Sequence, residues 1–135
     1  LALVLACDVV IAADTARFCV HAPHATAVPE GGLSHTLERT LGRGRALQVL
    51  WRRTPVSAPE WSDWGLVQQV APTGHALSEA LQLATDVAAL PSNIVSSIKE
   101  LVNDANQNSW RTQLNLEKQH ALILMAKGHS TPQPG

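Results

Sequence analysis

Ala6-Cys7-Asp8-Val9-Val10-Ile11-Ala12-Ala13-Asp14-Thr15-Ala16-Arg17-Phe18 is the stretch whose reading decides the fold of this 135-residue chain. From Asp8 to Ala13 it holds a continuous apolar run instead of an alternating one. That pattern suits a strand covered on both faces, as in a parallel sheet. The residues before it, Leu1-Ala2-Leu3-Val4-Leu5, read as the end of a buried helix. A run ending in Leu-Ala-Cys has the look of a signal peptide, but no basic segment precedes it and the apolar character continues beyond Cys7. Asp8 and Asp14 interrupt the run, so a membrane span is not expected. The reading is of a cytoplasmic protein whose two cysteines, Cys7 and Cys19, fit no metal spacing and stay reduced.

Helices dominate the rest of the chain. Residues 33–41 read as a short helix ended by Gly42, and residues 43–52 as another, with Ala46, Leu47, Leu50 and Trp51 at helical spacing. Ser57-Ala58-Pro59-Glu60 has the form of a capping box, with Ser57 as cap, Pro59 in the first turn and Glu60 reaching back. The helix it opens stops at Gly65, and residues 66–70 read as a short extended segment. A long helix is expected over 75–90 with Leu77, Leu81, Ala84 and Ala88 on one face, a second over 91–105 that buries Ile94, Ile98, Leu101 and Val102, and a last one over 109–126. Trp51, Trp61 and Trp64 read as packing residues, because aromatic side chains bury large areas. Trp110, beside Asn103 and Asn108, reads as a cap at the entry to the last helix. Residues 128–135 hold two prolines and two glycines and read as a frayed polar tail.

Composition narrows the function. Ten basic residues nearly balance eleven acidic ones, and no block of like charge occurs. A single Phe and no Tyr leave few stacking platforms for bases, so no nucleic-acid partner is expected. The hydrophobic content of 45% is enough for an ordinary globular core.

Pro29-Glu30-Gly31-Gly32 places one carboxylate on a loop that the glycines allow to turn tightly, just before a patterned helix. A helix start carries unsatisfied N–H groups and partial positive charge, which favour an ionised carboxylate nearby. Glu30 is therefore placed like a proton-transfer base, although a surface loop can carry the same tripeptide without chemistry. His21, His24 and His35 lie near this loop in sequence. No pair of them lies at i,i+4 on a recognisable helix, so a metal site is not expected. His21 and His24, with Gly31 and Gly32, are the candidates for lining a substrate pocket.

The stretch from Ala6 to Phe18 resembles the crotonase superfamily, the enoyl-CoA hydratase/isomerase family. Gly42-Arg43-Gly44-Arg45-Ala46-Leu47, Pro55-Val56-Ser57-Ala58 with Trp64-Gly65-Leu66-Val67, and Ala88-Ala89-Leu90-Pro91 with Ile98-Lys99-Glu100 resemble further blocks of that family in the family's order. The resemblance implies an α/β fold, the C-terminal part of a crotonase-like spiral of ββα units, mostly helical after one buried strand. On this reading residues 1–127 are a partial crotonase-like domain, followed by the tail.

What the resemblance implies about chemistry depends on where acids sit. Family members bind acyl-CoA thioesters, with coenzyme A as part of the substrate and no separate cofactor. Two backbone N–H groups form an oxyanion hole that stabilises an enolate, and such preorganised donors usually supply the largest catalytic term. The resemblance puts both donors upstream of Ala6-Cys7-Asp8. It puts the two hydratase glutamates at Ala2 and Ala22, neither of which is acidic here, and hydration needs an acid and a base. Glu30 falls at a third position, where enoyl-CoA isomerases of the superfamily carry a carboxylate in a similar loop. A dehalogenase branch also has an acid there, but it is built around aromatic residues that His21-Ala22-Pro23-His24-Ala25 lacks. The implied activity is therefore isomerisation of 3-enoyl-CoA to 2-enoyl-CoA in fatty-acid metabolism, by a homotrimer or dimer of trimers. The contrasting reading is a non-catalytic fragment or assembly module, inactive alone without the oxyanion region.

Overall fold

The computed structural model describes residues 1–20, 28–52 and 54–128. The chain divides into two units, Leu1–Gln82 and Leu83–Gly135. Among the described residues, the first holds the strands and the buried core; the second is helical.

In the first unit, a short helix α1 (Ala2–Leu5) leads through a bend into strand β1 (Ile11–Ala13) and then β2 (Arg17–Phe18). Helix α2 (Leu33–Trp51), strand β3 (Val56–Ser57), helix α3 (Ala58–Asp63) and strand β4 (Gln69–Ala71) come next. β1 pairs in parallel with β4, Ile11 opposite Gln69 and Ala13 opposite Ala71. The ladder extends at one end through Asp14 N–H, which donates to the Ala71 carbonyl at 2.8 Å. At the other end Val10 N–H donates to Gln68 Oε1 at 2.8 Å, and Gln68 N–H to the Val10 carbonyl at 2.9 Å. β2 and β3 form a separate antiparallel pair with Phe18 opposite Val56.

The parallel pairing agrees with the apolar run read from Asp8 to Ala13, but the strand is shorter and less covered than that run implied. Only Val10 and Ala12 are buried, while Val9 is 44% exposed. α1 is likewise not a buried helix: Leu3 and Val4 are exposed.

The core is one buried cluster to which α2, α3 and the strands all contribute. Leu33 and Leu37, one helical turn apart, are buried, as are Ala46 and Val49 one turn apart beyond Gly42. Gly42, at φ 73° and ψ 160°, breaks the helix between these two pairs. That backbone region is essentially open to glycine alone, so the two expected helices meet there at a kink. Trp61 is wholly buried in α3 and stacks on Phe18 of β2, centroids 4.6 Å apart and rings 11° from parallel. Val56, Ala58, Leu66 and Val67 complete the cluster.

α3 starts as half of a capping box. Ser57 Oγ accepts from Glu60 N–H at 3.3 Å, with Pro59 in the first turn. The Glu60 carboxylate, however, meets the Arg52 guanidinium at 3.1 Å instead of reaching back to the cap. A strong cationic partner outcompetes a neutral backbone donor for a carboxylate. Trp64 is partly buried with the Arg45 guanidinium over its ring at 5.1 Å, whereas Trp51 is exposed and does not pack.

Helix α4 (Ala76–Ala88) crosses the division between the units. Helices α5 (Ser92–Ala105) and α6 (Trp110–Gly128) form a hairpin in the second unit. Gln113 fastens its turn: Nε2 donates to the Leu101 carbonyl at 3.0 Å, and Oε1 accepts from Asn108 Nδ2 at 3.0 Å. The cap of α6 is Ser109, whose Oγ accepts from Thr112 N–H at 3.2 Å; Trp110 takes no such part and is 78% exposed. The apolar face of α5 was expected to be buried. Instead Ile98 is 53% and Val102 65% exposed; α4 leaves Leu77 72% exposed, and neither helix buries a residue fully.

Candidate active site

The Glu30 loop is held from both sides by local structure. Gly31 and Gly32 take left-handed conformations, φ 62° and 76°, which a residue with a Cβ adopts at a cost. Leu33 N–H donates to the Glu30 carbonyl at 3.2 Å, and Thr36 N–H to the Gly32 carbonyl at 3.0 Å, so the turn runs directly into α2. Buried Leu33 and Leu37 anchor that helix start in the core. On the other side the turn meets α1: a methyl group built on Gly31 would lie only 2.9 Å from Ala2 Cβ.

Glu30 is exposed. Its neighbourhood joins two of the three positions at which the resemblance places acids, Ala2 and Glu30, although they lie far apart in sequence. Ala22, the third, is outside the described residues, as are His21 and His24. His35 is exposed on α2. The parts of the turn set its chemistry. A carboxylate accessible from outside, on a turn fixed at a helix start, can accept a proton from a bound molecule and return it.

Two other features lie outside this turn. A polar cluster joins the carboxyl ends of the parallel strands: Thr73 Oγ1 donates to Asp14 Oδ1 at 2.6 Å and lies 2.9 Å from Thr15 Oγ1. Sequence reading did not find it, because its members come together only through the β1–β4 pairing. Its hydrogen bonds account for it as a tie between strand ends. The second feature is an open groove of about 420 Å³ in the second unit, lined by Leu101, Val102, Ala105, Trp110 and Glu117 among others. None of the site residues read from the sequence lines it. Among the described residues no group of three or more His, Cys, Asp or Glu could hold a metal ion, and no helix is long and apolar enough to cross a membrane.

Comparison with known proteins gives this arrangement a context. The chain is 33% identical over 118 residues to the 1,2-epoxyphenylacetyl-CoA isomerase of Escherichia coli K12, covering 87% of this chain and 45% of that protein. It superposes on the crystal structure of an enoyl-CoA hydratase from Polaromonas sp. JS666 with TM-score 0.84 at 38% identity, covering 98% of this chain and 56% of that one. A candidate enoyl-CoA hydratase of Thermobifida fusca YX, solved in complex with CoA, gives TM-score 0.87 at 25% identity, covering 94% and 49%. The chain thus spans about half the length of the relatives it matches. These neighbours show the α/β crotonase architecture, with this chain as its mostly helical C-terminal part. The family model described as enoyl-CoA hydratase/isomerase matches residues 1–131, and the chain belongs to that family.

Proposed function

We propose that the protein acts on acyl-CoA thioesters, isomerising 3-enoyl-CoA to 2-enoyl-CoA with Glu30 as the proton shuttle. One observation carries this reading. Ala2 and the Glu30 turn are neighbours in space, and of these two family acid positions only position 30 holds a carboxylate. The isomerase among the relatives and the CoA complex among the neighbours support a CoA thioester as substrate. Many relatives carry hydratase names, which makes hydration the competing reaction. Hydration needs a second acid–base group to activate water, and the methyl group of Ala2 offers none.

In the proposed reaction the Glu30 carboxylate removes a proton from C2. The C2–H electron pair enters the thioester to give a dienolate. Protonation at C4 by the same carboxyl group leaves the double bond between C2 and C3 and restores the base. The dienolate oxygen needs an oxyanion hole. In this reading it comes from the part of the fold that relatives carry upstream of the matched residues. The reading also makes the protein a homotrimer, or a dimer of trimers, of cytoplasmic fatty-acid metabolism; the exposed apolar faces of α4 and α5 support association.

The test uses the chain preceded by an upstream half of the length its relatives carry. Glu30→Gln is expected to lower isomerase kcat on 3-enoyl-CoA about 10²–10⁴-fold, the usual range for general acid–base catalysis. Unchanged turnover sinks the proton-shuttle reading. Hydration of 2-enoyl-CoA faster than isomerisation replaces it with hydratase chemistry.

A further inference from the structure

We propose that Ala2 is a positioning residue for Glu30, its methyl group forming the stop against which the Gly31 turn rests. The inference rests on the reading of Glu30 as the proton shuttle. The contact is specific to one of the two turn glycines. A methyl on Gly31 would lie 2.9 Å from Ala2 Cβ, whereas one on Gly32 would have no heavy atom within 4 Å. Carbon atoms that are not bonded to each other settle near 3.5–4.0 Å. A missing side chain at 31 and a small one at 2 are therefore jointly required.

A larger side chain at position 2 that extends in the direction of the Gly31 turn must push back either α1 or the turn. The far side of the turn is fixed by Leu33 N–H on the Glu30 carbonyl and by Leu33 and Leu37 in the core. A turn held on that side cannot retreat as a body, so the overlap is relieved either by α1 shifting or by the turn's own dihedrals rotating one residue from the carboxylate, and the second moves Glu30. A base must sit within hydrogen-bond reach of the proton it takes. A misplacement of about 1 Å costs on the order of 10²-fold in rate. A bulky residue at position 2 and a productive carboxylate at position 30 thus exclude one another, and the size of residue 2 helps decide which acid position the fold can use.

The experiment uses the same joined protein and reads kcat and KM for 3-enoyl-CoA together. Gly31→Ala and Gly32→Ala share the penalty of a left-handed alanine, and only the first adds the clash. Ala2→Leu and Gly31→Ala are expected to lower kcat about 10²-fold, with KM changing far less. Gly32→Ala should lose roughly tenfold less, because its strain does not aim the carboxylate elsewhere. Adding Ala2→Gly to Gly31→Ala should recover most of the lost kcat. A Gly31→Ala loss no greater than that of Gly32→Ala, or no recovery in the double variant, overturns the proposal. If Glu30→Gln leaves turnover intact, the shuttle reading fails by itself. The contact then remains testable in the 135-residue chain, where Ala2→Gly must restore the thermal midpoint lost to Gly31→Ala. Should Ala2→Leu fail to fold, the Gly31→Ala and double-variant pair still decides the matter.

Discussion

Trp61 offers the sharpest quantitative test of the core. It is wholly buried, stacks on Phe18 at 4.6 Å, and its indole N–H has no acceptor among the described residues. Replacing it with Phe removes about 50 Å² of buried surface, judging by the spread among aromatic side chains, and this costs about 1.3 kcal/mol at about 25 cal/mol per Å². Incomplete collapse of the space left behind adds about 1 kcal/mol. Against this, removing a buried unsatisfied donor recovers about 1–3 kcal/mol. The ring–ring contact with Phe18 survives in the variant. Trp61→Phe should therefore change stability by no more than about 1 kcal/mol, whereas Trp61→Ala should cost about 3–5 kcal/mol. The assay is urea denaturation followed by circular dichroism, because the substitution alters the fluorescence signal itself. A Trp61→Phe cost above about 2 kcal/mol refutes the reasoning, since it means that the indole N–H finds a partner in solution.

Two further substitutions test how the sequence shapes the helices. Gly42→Ala meets no steric obstacle but must occupy φ 73°, ψ 160°, so a loss of about 1–3 kcal/mol is expected in thermal unfolding. A loss below about 0.5 kcal/mol would show that α2 simply straightens through the position. Ser57→Ala removes the side-chain cap of α3 and should cost about 1 kcal/mol in urea denaturation, while Ser57→Asp should retain most of the stability.

Legibility followed sequence distance. Gly42, Ser57 and the helix limits were readable because each is set by residues within one turn of itself. The β1 segment was readable as apolar, but its covered length was not, since that depends on what packs against Val9 and Ile11. The β2–β3 pair escaped notice because two residues carry too little pattern to be seen as a strand. Glu60 fits the capping box by spacing, yet Arg52, eight residues earlier, claims its carboxylate. At the candidate site the sequence pointed to Glu30 through the glycines beside it. It gave no sign that Gly31 rests on Ala2, because that contact joins segments on either side of β1 and β2. The amphipathic patterns of α4 and α5 were correct as patterns. An apolar stripe states that a face needs cover, not that the same chain supplies it.

The β1–β4 pairing also orders events in time. Val10 and Gln68, which clasp its end, are 58 positions apart, so closing that loop costs about 3.6 kcal/mol of chain entropy before any ladder bond forms. The α5–α6 hairpin joins neighbouring segments and carries little of that burden. Topology of this kind makes helical hairpins fast and long-range parallel pairing slow. A refolding chain should acquire the second unit first. The sheet and the buried Trp61 stack should form in a slower phase, during which the apolar residues of α2 and α3 stand open to water and to other chains.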